Sequence, residues 1–81
     1  MNDFESEMVK AQCRAFAAIG ATHSKLRETK DKLNPYLAMI VYNNKMYRFS
    51  DPDANVIIAQ LAHLYKRIKH GQMATTYTRN I

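Results

Sequence analysis

Four side chains suited to holding an anion recur at helical spacing near the end of this sequence. His63, Lys66, Arg67 and His70 stand at i, i+3, i+4 and i+7, with Lys69 on the flank and Arg79 further on. From Ala54 to Ile81 there is no Asp or Glu to neutralise them. Several cations on one face without neighbouring acids suit phosphate groups, which Lys and Arg hold by charge and hydrogen bonds together. Tyr77, close by, could stack on a base. The competing reading is a solvated helix face whose cations complement the negative end of the helix dipole.

Other groups offer less chemistry. The three histidines invite a metal, but His63 and His70 are far apart, His23 lies in another segment, and no HxxxH, CxxC or carboxylate cluster joins them, so no metal is expected. Cys13 sits among apolar residues without a His in its own segment, which fits a small buried hydrophobe better than a nucleophile. Asp51 and Asp53 look like a carboxylate pair for acid–base work, yet they also belong to a helix start. With 2 glycines in the whole chain there is no phosphate-cradling loop, and no cofactor is implied. The expectation is a protein that binds rather than catalyses.

Three elements must position these residues. Leu37 to about Phe49 reads as a β-hairpin turning at Asn43-Asn44, because Asn tolerates the left-handed backbone of a type I′ turn. Counting outward, Tyr42 faces Lys45, Val41 faces Met46, Ile40 faces Tyr47, Met39 faces Arg48 and Ala38 faces Phe49. One face carries Leu37, Met39, Val41 and Met46 with Arg48; the other carries Ala38, Ile40, Tyr42, Tyr47 and Phe49 with Lys45. Both are mostly apolar, so cover is expected on both sides.

Before the hairpin, Asn2, Asp3 and Glu5 form a helix start, and Asn34-Pro35 forms a stop. An apolar stripe runs through Phe4, Met8, Ala11, Ala15, Ile19, Leu26 and Leu33, with Thr22 and Thr29 on the same side. Read as one helix over about 3–33, this segment is roughly 45 Å long and outruns the second helix. Val9, Cys13 and Phe16 give it a second apolar side, and Ala11, Ala15 and Ala18 would let another helix approach closely. Gly20 is the weak point, where a kink or a break with re-capping at Thr22 or Ser24 competes with continuity. Arg27 with Asp31 and Glu28 with Lys32 make i,i+4 pairs on the continuous reading.

After the hairpin, Ser50-Asp51-Pro52-Asp53 starts a second amphipathic helix over about 52–70, capped by Ser50 or Asp51 and ended by Gly71. Its core face is Ile57, Ile58, Leu61, Leu64, Tyr65 and Ile68. The tail over 72–81 is read as extended, either frayed or added as a further strand.

The bulk properties set the limits. A chain of 81 residues makes a single domain, at a size where oligomerisation commonly supplements a small core. Hydrophobic content of 47% against 23% charged argues against wholesale disorder. A lone cysteine excludes an internal disulfide framework and fits a reducing, cytoplasmic setting. The uncharged runs Leu33 to Asn44 and Ala54 to Tyr65 are too short to span a membrane, and acids rather than an apolar signal segment occupy the first turns. A net charge of +5 suits an anionic partner.

The sequence therefore implies a small α+β domain of order α-β-β-α with a long first helix. The overlong stripe and the two-sided hairpin imply a homo-oligomer, most simply a dimer, with Phe4, Met8, Ala11, Ala15, Ile19, Leu26, Tyr42 and Tyr47 at its interface or at a partner's. The leading functional expectation is a non-catalytic binding protein whose basic helix face engages nucleic acid or another phosphate-bearing ligand. The alternatives are a small accessory or inhibitor protein, of the kind phages or mobile elements encode, docking on a host protein, and an oligomer holding a nucleotide between subunits.

Overall fold

The computed structural model describes residues 1–78, with side chains through residue 71. Along the chain come α1 (Asp3–Ala18), β1 (His23–Glu28), β2 (Tyr36–Tyr42), β3 (Lys45–Asp51) and α2 (Ala54–Thr78). The strands form one antiparallel sheet in the order β1-β2-β3, with α1 over β1 and α2 over β3 and β2. The α+β class expected from sequence holds, with one strand more: the order is α-β-β-β-α.

The hairpin forms as its residues imply. Asn43 and Asn44 both take positive φ, 52° and 64°, which is the geometry of a type I′ turn. The ladder pairs Tyr42 with Lys45 and continues through Ala38 with Phe49, the register counted from that turn. Within the chain only one of the two faces is covered. Ala38 and Ile40 are fully buried under the helices, while the face carrying Leu37, Met39, Val41, Met46 and Arg48 lies opposite them.

The continuous helix over 3–33 does not form either, and Gly20 is the reason. Ile19 is the C-cap of α1; Gly20 follows at φ 106°, a left-handed position that other residues occupy only with strain. The Gly20 amide donates to the Ala17 carbonyl at 3.1 Å and the Ala21 amide to the Phe16 carbonyl at 3.0 Å, the two bonds of a Schellman motif. The start of the helix matches its signals. Asn2 Oδ1 accepts from the Glu5 amide at 2.7 Å while Glu5 Oε1 accepts from the Asn2 amide at 3.0 Å, a reciprocal capping box.

Beyond Gly20 the chain enters β1, which pairs with β2 from His23 opposite Val41 to Glu28 opposite Tyr36. Leu26 thus reaches the core from a strand, and Leu33 is 79% exposed in the loop that follows. Asp31, counted in a helical i,i+4 pair, and Thr29, counted on the helical stripe, instead shape this connection: Asp31 Oδ1 accepts from the Leu33 amide at 2.9 Å, and Thr29 Oγ1 donates to the Asn34 carbonyl at 2.9 Å.

The second helix differs from expectation at both ends. Asp53, rather than Ser50 or Asp51, caps it by accepting from the Asn55 amide at 2.9 Å, and Asp51 accepts from the Asp53 amide at 2.9 Å. Gly71 does not end it; the helix runs on to Thr78, so the extended tail expected over 72–81 is helical as far as 78, and 79–81 lie outside the described residues.

The core joins one face of each element. Phe16, Ile40, Ile57 and Leu61 are its largest fully buried side chains, each worth roughly 1.5–3 kcal/mol of burial. Phe16 meets Tyr65 edge to face, with ring centroids 5.6 Å apart and planes at 83°. Gln12 Nε2 donates to the Ile58 carbonyl at 2.8 Å and ties the two helices together. On α1 the buried side is therefore that of Val9 and Phe16; Phe4 and Met8 lie to one side of it and are exposed, with Met8, Ala11 and Ala15 bordering the groove toward α2.

Candidate functional site

Helical periodicity positions the cationic strip. Ile57, Leu61, Leu64 and Ile68 are buried along one line of α2, so residues about half a turn away must face solvent. His63, Lys66, Arg67, Lys69 and His70 are all exposed. Four of them, His63, Lys66, Arg67 and His70, border one shallow groove with Gly71, and the first and last lie roughly 10 Å apart along the axis.

The length of α2 bears on one explanation of this charge. The dipole effect is confined to the last turn of a helix. Because α2 continues to Thr78, no basic residue lies in its last turn, and these cations stand in its middle. Matching the helix dipole therefore does not account for them.

Lys66 and Arg67 lean in opposite directions. Lys66 borders the groove between α2 and α1, beside Ala62 and Met8. Arg67 borders a cleft of about 310 Å³ shared with the hairpin tip, where Tyr42, Asn43, Lys45 and Tyr47 form the other wall. It also borders a third groove, lined by Tyr47, Phe49 and His63 among others. Arg67 is thus the point at which the helix strip and the hairpin meet, and no carboxylate lines any of these grooves among the described residues. Lys45 adds a cation to the cleft that sequence spacing alone did not attach to the strip. The one ion pair among the described residues is Glu7 with Lys10, 3.7 Å apart on α1 and well away from these cations in the chain.

The remaining sequence candidates divide. Arg79 lies outside the described residues, and Tyr77 falls in the part of α2 whose side chains are not described. Phe4, Met8 and Ala11 are exposed and Ala15 is half-buried on α1. Ile19, Leu26, Tyr42 and Tyr47 instead pack against the core from its margins. Asp51 and Asp53 are occupied with backbone amides, as a helix start requires. Burial pushes the Cys13 thiol above its ordinary pKa, which lowers its thiolate fraction at neutral pH. Among the described residues no group of three or more His, Cys, Asp or Glu could hold a metal, and no helix is long and apolar enough to cross a membrane.

A second cationic surface arises from β1. Its residues His23, Lys25 and Arg27 pair with Val41, Met39 and Leu37, which in turn pair with Met46, Arg48 and Ser50. Residues directly opposite share a face, so the sheet side away from the helices carries an apolar line along β2 with cations on both flanks. The alternation in His-Ser-Lys-Leu-Arg-Glu is the only sequence signal for it, and Lys, Arg and Glu are poor strand formers.

No family model, curated protein or solved structure matches the chain.

Proposed function

We propose that this chain is a non-catalytic binding module that engages nucleic acid through the outer strip of α2 and the adjoining hairpin tip. The observation that carries the reading is the position of Arg67, where acid-free grooves from helix and hairpin converge. Lys66, Arg67 and Lys69 supply phosphate contacts, with His63 and His70 donating hydrogen bonds and Lys45 extending the track across the cleft. Tyr47, half-buried in the cleft wall, offers part of a ring to a base that enters it.

The test is fluorescence anisotropy with labelled single-stranded and duplex oligonucleotides. Changing Lys66→Glu and Arg67→Glu together should weaken binding at least tenfold and lower the slope of log affinity against log salt by about 2. Binding untouched by the double reversal refutes the reading.

The open sheet face favours a second reading, docking on an acidic protein as an accessory or inhibitor. Leu37, Met39 and Val41 between Lys25, Arg27 and Arg48 match an amphipathic segment with carboxylates along both edges. Here Met39→Asp should abolish capture of such a partner; the α2 reversal should leave it intact.

A further inference from the structure

The side of α1 that carries Phe4 and Met8 forms an apolar seam exposed to solvent. Phe4, Met8, Ala11, Ala15 and Ala18 recur at intervals of four, three, four and three, the spacing of a helix–helix seam. None of them is in the buried core; Phe4 is 70% and Met8 38% exposed, although both are large and apolar. An apolar seam left facing water marks an interaction surface.

We infer that two protomers associate through this seam with their first helices antiparallel about a twofold axis near Ala11. Size and charge both select that arrangement over the parallel one. The large residues lie in the first half of the seam and the small ones in the second, so a parallel pair would set Phe4 against Phe4 and leave a gap between alanines. Antiparallel, Phe4 packs on Ala18 of the second copy and Met8 on Ala15, positions whose numbers sum to about 22, as the heptad spacing requires. Glu7 and Arg14 are exposed on the same flank of α1, two turns apart. A twofold axis brings each flank against itself reversed, which places Glu7 of one copy beside Arg14 of the other, twice over.

The groove beside the seam supports this occupant. It holds about 280 Å³ between α1 and α2, bordered by Met8, Ala11, Ala15 and Ala62 with Lys66 at its rim, so the apolar surface of the seam continues onto α2 beside the place where Met8 of the second copy meets Ala15. A helix of 16 residues is only about 24 Å long, so the contact is below standard interface size and the dimer is weak. The association goes beyond nucleic-acid binding and does not depend on it.

Sedimentation equilibrium over about 5–500 µM, with nucleic acid removed, tests the inference. The wild-type chain should shift from monomer to dimer across that range. Phe4→Ala should hold it monomeric without lowering its melting temperature, because Phe4 lies outside the core. Glu7→Arg alone should weaken the dimer about tenfold, and adding Arg14→Glu should restore it, since the swapped pair recovers both contacts. In a Cys13→Ser background, Ala11→Cys should oxidise to a symmetric disulfide dimer. A chain monomeric throughout, a dimer indifferent to Phe4→Ala, or a charge swap that fails to restore association overturns the inference.

Discussion

The two helices share one side of the sheet, each contains or abuts a glycine, and the two glycines act in opposite ways. Gly20 takes φ 106° and ends α1 after 16 residues, whereas Gly71 lies within α2, which runs for 25. The difference follows from what comes next. After Gly20 the Ala21 amide returns to Phe16 and the chain turns into a strand that the sheet can pair; after Gly71 the good helix formers Gln72, Met73 and Ala74 carry the helix on. The functional consequence is a division of surfaces. Shortening α1 leaves a compact seam with its large residues, Phe4 and Met8, in the first half and alanines in the second. Lengthening α2 leaves its cations in mid-helix, away from the end where the dipole would favour them.

Substitutions break or sharpen this contrast. The largest effect is expected at the anchor common to both helices: Phe16→Ala removes a fully buried ring and its edge contact with Tyr65, which should cost about 3–5 kcal/mol in denaturant unfolding. Reversing Lys66 and Arg67 should leave thermal stability within about 0.5 kcal/mol, as both are exposed, while affinity for oligonucleotide falls at least tenfold. Gly20→Ala should destabilise by about 1 kcal/mol, because an Ala side chain is strained at that φ whatever room it finds beside Tyr42. Gly71→Ala should do the reverse and stabilise by about 0.5–1 kcal/mol, since an added Cβ meets nothing within 4 Å and the helix gains propensity. A loss of stability at Gly71→Ala in thermal melts would mean that α2 ends there after all.

Much of this fold is legible in the sequence, and the parts that are not have physical reasons. The hairpin and its register followed from Asn43-Asn44, because a two-residue turn fixes the pairing on either side of it. The core line of α2 followed from its period. Strand β1 was missed because Leu26 and Leu33 continued the helical stripe of α1 and Lys25, Arg27 and Glu28 disfavour strands; pairing with β2 overrode local propensity. The same error hid the open sheet face. The end of α2 was misplaced because Gly was read as a stop without a left-handed turn to require one. Of the candidate site, the helix strip was visible as spacing, but the convergence of Arg67 with Lys45 and Tyr47 depends on how α2 lies across the hairpin, which no local pattern encodes.

The claim that α2 presents a phosphate-binding surface is tested most directly by the salt dependence of oligonucleotide affinity, compared between the wild-type chain and one with Lys66, Arg67 and Lys69 all changed to Gln. Neutral replacements avoid new repulsion, so the slope counts phosphate contacts. It should fall by about 3 with the fold unchanged by circular dichroism. An unchanged slope at unchanged affinity would contradict the assignment and move the functional surface elsewhere, with the open sheet face first in line.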